Sequence, residues 1–188
     1  MARIAPINVA THSAAARADG QEVIAGRLVT GTATFSPCKL WRYRLTRTWA
    51  EGRGACLWIM LNPSTADAAK VDPTVRRAMT FSMRWGYREG WVANVFAIRA
   101  TDPKNLYDHT NPIGPDNDRA IMDMTSRADR IVLAWGNHGR YGDRFRQVLE
   151  LVGPWRRRCG HLGLTGEGMP RHPLYVRGDT AFNQAWLG

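Results

Sequence analysis

Cysteine is scarce in this chain, with only Cys38, Cys56 and Cys159 in 188 residues. They are odd in number and far apart, so they make neither a disulfide framework nor a CxxC metal signature. Three thiolates do not complete a four-thiolate iron–sulfur site. Long apolar runs are also missing: no stretch approaches the ~18 residues of a membrane span. Residues 1–20 carry no apolar segment of the kind a secretory leader needs. The expectation is a reduced, cytoplasmic compartment with no membrane partner. His138, His161 and His172 show no HxxxH-type spacing, so no metal and no cofactor are expected. Lysine is rare too, since only Lys39, Lys70 and Lys104 of the 26 basic residues are lysines.

Negative charge is in the minority. Asp and Glu number 16, and the net charge is +10. Such an excess points to a polyanionic partner, nucleic acid before an anionic membrane surface. Heavy use of Arg, Ala and Gly is also what a GC-rich genome produces, so the charge alone leaves both explanations open. Hydrophobic residues make up 44%, enough for a globular core. The length fits one domain. Residues 1–25, Ala-rich and weakly patterned, read as a loosely ordered arm, and residues 26–188 as a single α/β domain.

From Gly26 the pattern is β-like. Arg27–Phe35 is a β-leaning run. Lys39–Trp49 alternates Leu40, Arg42 and Arg44 against Trp41, Tyr43 and Leu45, the period of a strand. Together they predict an antiparallel hairpin. The apolar run Ala55–Leu61 predicts a strand buried on both faces. Asp72 followed by Pro73 predicts a helix start, with the helix running to about Trp85. Trp91–Ile98 and Arg130–Trp135 predict two further buried strands. Pro115–Ala128 and Arg140–Leu151 predict helices. A short strand near Arg158–Leu164 and a short helix after Gly178 complete the reading. Strands alternating with helices imply a three-layer αβα fold around a mostly parallel four-stranded sheet.

In such a sheet, ligands bind beyond the carboxyl ends of the strands. That rule selects Asn62-Pro63-Ser64-Thr65-Ala66-Asp67 after the first core strand, Asn94 in the second, Trp135-Gly136-Asn137-His138 after the third, and Arg171-His172-Pro173-Leu174-Tyr175 in the last loop. The set is rich in amides and imidazoles and poor in carboxylates. It suits recognition of a planar polar group and stabilisation of a developing anion, and suits hydrolysis by paired carboxylates poorly. Asn94, among Val92, Val95 and Phe96, needs a hydrogen-bond partner wherever it points. Trp135 also has a pure packing explanation.

In this order the motifs resemble the uracil-DNA glycosylase superfamily. Met60-Leu61-Asn62-Pro63-Ser64 is similar to its water loop, Trp91-Val92-Ala93-Asn94-Val95-Phe96 to its base-reading strand, Leu133-Ala134-Trp135-Gly136 to its third motif, and His172-Pro173-Leu174-Tyr175 to the start of its His-Pro loop. The stretches IMLNPSTAD, NVFAIRATDP, LAWGNHG and RHPLY also look like a branch of bacterial and phage proteins forming a domain of unknown function. The departures are Met60 where the superfamily places a Gly, Leu174-Tyr175 in place of a Ser-rich wedge, and the absence of an identifiable base-stacking aromatic.

The resemblance implies base flipping and hydrolysis of the N-glycosidic bond of a uracil-like or modified pyrimidine in DNA, as in repair or modified-base processing. In that scheme Asn62 orients water and Asp67 compensates as a carboxylate. His172 stabilises the departing base, while Asn94 and Trp135 bind the base. Ser64, Thr65 and some of Arg76, Arg77, Arg171 and Arg177 contact phosphates, as do the backbone N–H groups at Pro73. Leu174 and Tyr175 wedge into the duplex. Two other classes stay open: a non-catalytic nucleic-acid-binding module on the same fold, and an enzyme acting on free nucleotides.

Overall fold

The strand Ala55–Met60 is buried along its whole length, because both of its faces and both of its edges are covered. A computed structural model of the chain describes residues 16–64, 72–100, 106 and 108–188. In chain order the strands are β1 (Ala16–Ile24), β2 (Arg27–Phe35), β3 (Arg42–Thr48), β4 (Ala55–Met60), β5 (Glu89–Asn94), β6 (Arg130–Leu133) and β7 (Cys159–His161). The helices are α1 (Pro73–Arg84), α2 (Asn117–Arg127) and α3 (Arg144–Val152).

All seven strands form one sheet in the order β1-β2-β3-β5-β4-β6-β7. β4 pairs in parallel with β5 and with β6, and β6 in parallel with β7. β1, β2, β3 and β5 are successively antiparallel. The sheet is therefore mixed and larger than the four-stranded one expected. The hairpin of β2 and β3 is present, but it continues the sheet through β3–β5 pairing.

Alternation along β4 divides the core. Cys56, Trp58 and Met60 pack with Val75, Ala78, Met79 and Phe81 of α1 on one face. Leu57 and Ile59 pack with Ile121 and Met124 of α2 and Val148 and Leu149 of α3 on the other. α1 starts as its sequence dictates. The Asp72 carboxylate accepts from Val75 N at 2.7 Å, and Pro73 takes the first helical position. It stops at Gly86, whose φ of +81° is a left-handed conformation that closes helices.

Three expectations need correction. Of the loosely ordered arm expected over residues 1–25, residues 1–15 lie outside the described residues and Ala16–Ile24 form β1. The β1–β2 turn is Ala25-Gly26, with φ of +49° and +76°, so both central residues adopt the left-handed geometry of a tight hairpin without the usual Asn-Gly signal. The third helix, expected from Arg140, begins only at Arg144, after irregular turns over Asn137–Asp143. The tail after Gly178 is not a helix: His161 N donates to Asn183 O at 3.0 Å and Asn183 N to His161 O at 2.9 Å, so the tail covers the β7 edge. Gly160 permits this approach, since an added Cβ would lie 2.2 Å from Asn183 O.

Several arginines serve the interior. Arg47 is fully buried on β3 and pairs with Glu22 of β1 at 2.6 Å. Buried Arg144 pairs with Asp118 and donates to Val95 O at 3.1 Å. A buried cation needs such partners to offset its desolvation. Part of the basic excess is thus structural.

Candidate functional site

The strand order creates a switch point. From β4 the chain crosses through α1 to β5 on one side, whereas β6 and β7 lie on the other side of β4. Connections that diverge in this way leave a crevice beyond the carboxyl ends of the two central strands. A cavity of about 700 Å³ occupies that position, within the size range of small-molecule sites. Met60, Leu61 and Asn62 line it from the end of β4, and Trp135, Gly136 and Asn137 from beyond β6. Asp72, Thr74 and Val75 contribute the first turn of α1, and Arg171, His172, Leu174 and Tyr175 contribute the last loop.

Asn62 is fixed by its own amide. Its Nδ2 donates to Pro63 O at 3.0 Å and to Ala100 O at 2.7 Å. Both donor hydrogens are thereby used, and Oδ1 keeps its acceptor capacity for the cavity. Ser64 Oγ donates to the Asp72 carboxylate. A phosphate beside Ser64 would lie next to that negative charge.

His172 lines the cavity, and its Nδ1 is buried with no hydrogen-bond partner among the described residues. Its ring lies 5.6 Å from that of Tyr175. Burial holds the imidazole below its ordinary pKa, and the Asp72 charge opposes that shift without cancelling it. Trp135 is 1% exposed, and its Nε1 is likewise buried and unpartnered among the described residues. Gly139 packs directly on the indole, since an added Cβ would lie 2.2 Å from Trp135 Cδ1. The indole is therefore a clamped wall. Leu174 and Tyr175 are on the rim, 43% and 78% exposed.

Other expected site residues are elsewhere. Asn94 is buried and does not line the cavity. Its Oδ1 accepts from Arg42 Nη2 at 3.3 Å, and it is Arg42, from the start of β3, that reaches the cavity wall. Arg76 Nη1 donates to Val23 O at 3.1 Å. Arg77 Nη2 donates to Val176 O at 2.7 Å, and its guanidinium lies over the Phe81 ring. Neither lines the cavity. Arg177 pairs with Asp179 at 3.1 Å. Arg171 does line it, with Nε on Leu164 O at 2.9 Å. Thr65 and Asp67 lie outside the described residues.

Two charged lining residues, Arg42 and Asp72, were not legible as site residues. Arg42 read as one face of a strand, and Asp72 read only as a helix cap. No group of three or more His, Cys, Asp or Glu side chains capable of holding a metal occurs among the described residues. No described helix is long and apolar enough to cross a membrane.

Residues 42–174 match the family described as protein of unknown function (DUF1643), and the chain belongs to that family. The match runs from Arg42 on one cavity wall to Leu174 on the rim, and so encloses every lining residue except Tyr175. Searches of curated proteins and of solved structures return no match.

His161, which is buried, and His172, which is half-buried, have a consequence for stability. Burial lowers His161 as well as His172. Both therefore bind a proton more readily in the unfolded chain than in the folded one. Their contribution is complete above the unfolded value of about 6.5 and is lost as pH falls below it toward the folded values. The midpoint of thermal unfolding is expected to decline on acidification from about pH 7.5 to about pH 5.5, and His172→Gln is expected to flatten that decline. A midpoint that rises over the interval contradicts the burial of these rings.

Proposed function

We propose that the cavity holds a pyrimidine extruded from nucleic acid and that the protein hydrolyses its N-glycosidic bond. The observation that carries this reading is the convergence of Asn62, Trp135 and His172, from three separate loops, on one cavity at the switch point. The layering of α1 on one face and α2 and α3 on the other supports it, because this is the arrangement that the resemblance to the uracil-DNA glycosylase superfamily implies.

Each wall then has a task. Asn62 Oδ1 orients the attacking water. His172, neutral near pH 7, donates a hydrogen bond to the base anion as the bond breaks. Arg42 takes the place expected of Asn94 at the base edge, with Asn94 holding its guanidinium. A guanidinium only donates, so it selects carbonyl oxygens, which a uracil- or thymine-like edge presents, over the exocyclic amine of cytosine. Leu174 and Tyr175 fill the gap left in the stack.

The test is incubation with single- and double-stranded oligonucleotides carrying uracil, 5-modified pyrimidines or mismatches, followed by alkali. Strand scission at one of these bases is expected. Binding without scission on every substrate would favour a non-catalytic module. A second reading, an enzyme on free nucleotides, draws support from Arg76, Arg77 and Arg177 being engaged away from the cavity. Salt separates the two. Duplex recognition predicts that log K falls by about 0.9 per phosphate neutralised for each tenfold rise in salt, whereas a free nucleotide gives a shallow slope.

A further inference from the structure

We propose that Asp72, the cap of α1, is the carboxylate that accepts the proton of the attacking water, with Ser64 as its positioning residue. The inference rests on the glycosidic-bond reading above. Two donors from different segments hold this carboxylate against the cavity: Val75 N on Oδ1 at 2.7 Å, and Ser64 Oγ on Oδ2. Asp72 is the one carboxylate among the described residues that line the cavity. The charged and titratable groups sharing the wall are Arg42, His138, Arg171, His172 and Tyr175. An ionised carboxylate has about four acceptor sites; the two protein donors use two, and two remain for water.

Asn62 does not do this work, because an amide takes no proton near neutral pH. It directs the water, and a separate base is needed. In the step proposed, the C1′–N bond breaks with its electron pair going to the base nitrogen, and the base anion is hydrogen-bonded to His172. The water oxygen forms its bond to C1′, and its proton passes to Asp72. That proton then leaves to the base anion or to solvent, which restores the carboxylate. The same negative charge stabilises the oxocarbenium-like sugar while it lasts.

The competing explanation is that Asp72 is a helix cap and nothing more. Asp72→Asn separates the two, because Asn caps helices as well as Asp does but accepts no proton. The probe is the oligonucleotide that the wild-type protein cleaves. Asp72→Asn is expected to keep the thermal midpoint and the binding of that oligonucleotide while turnover falls by about 100-fold. The His172 titration, followed by its imidazole proton resonances, is expected to move to lower pH once the neighbouring charge is gone. Wild-type turnover in Asp72→Asn would overturn the inference and leave the glycosidic-bond reading intact, as would an unmoved His172 titration. No released base from any substrate with the wild-type protein would overturn both together. Should Asp72→Asn fail to fold, Ser64→Ala carries the test. It keeps the bond to Val75 N and frees one side of the carboxylate, so turnover is expected to drop about tenfold. Full activity in that variant would count against the inference.

Discussion

Trp58→Ala is expected to destabilise the protein by about 3–5 kcal/mol, the largest effect of any single substitution considered. Trp58 is fully buried at the middle of β4. Its ring stacks on Trp85 at 5.7 Å and lies 5.9 Å from Phe81. Its Nε1 donates to Ser82 Oγ at 2.9 Å. Truncation leaves a cavity between the sheet and α1 and removes the donor that Ser82 receives, although Ser82 still donates to Ala78 O at 3.0 Å. Typical domain stabilities are about 5–15 kcal/mol, so a loss of this size takes a large share of the total. Urea unfolding measures it. Trp58→Phe keeps much of the packing and loses the hydrogen bond, and a smaller loss is expected. An unchanged urea midpoint in Trp58→Ala would mean that β4 does not form the core between α1 and the sheet.

Asn62→Ala is expected to reduce turnover by about 100- to 1,000-fold with little change in ligand binding. The side chain performs two jobs that can be measured apart. Its Nδ2 ties the β4 loop to Ala100 O at 2.7 Å, a bond whose loss costs about 0.5–1.5 kcal/mol of stability. Its Oδ1 is the acceptor left to the cavity, and under the proposed function its loss removes the group that orients water. A modest fall in the thermal midpoint combined with a large fall in kcat is the expected signature. A rise in KM with kcat unchanged would place Asn62 in binding instead. Unaltered turnover would remove it from the site.

Asn62, Trp135 and His172 were legible because each follows a local signal. Asn62 and Trp135 end strands whose apolar runs are unmistakable, and His172 precedes a Pro in the last loop. Asn94 gave an equally good signal, yet it does not reach the cavity. Its backbone position is as expected, but Arg42 of β3 lies against its amide and takes the wall in its stead. That neighbour comes from antiparallel pairing of β3 with β5 across more than forty positions of chain, a register that no local pattern encodes. Asp72 shows the opposite case. It was read correctly as a cap, and capping is what turns its carboxylate toward Ser64. Only the return of α1 over the end of β4 puts that cap on a cavity wall.

By itself the sequence determined the alternation of strands and helices in the parallel half, the cap and stop of α1, and the amide-and-imidazole chemistry of the loops. These follow from short-range causes: burial period, backbone preference and side-chain chemistry. The tertiary structure decided the order β5-β4-β6-β7 and hence the switch point, the incorporation of β1 into the sheet, and the fate of the charge. The +10 excess could have lined one crevice. Instead Arg47 and Arg144 are buried against acidic partners, Arg76 and Arg77 hold backbone carbonyls, and Arg42 and Arg171 reach the cavity. A net charge sums over residues wherever they point, whereas an electrostatic surface depends on which side chains find partners first, and packing sets those partners.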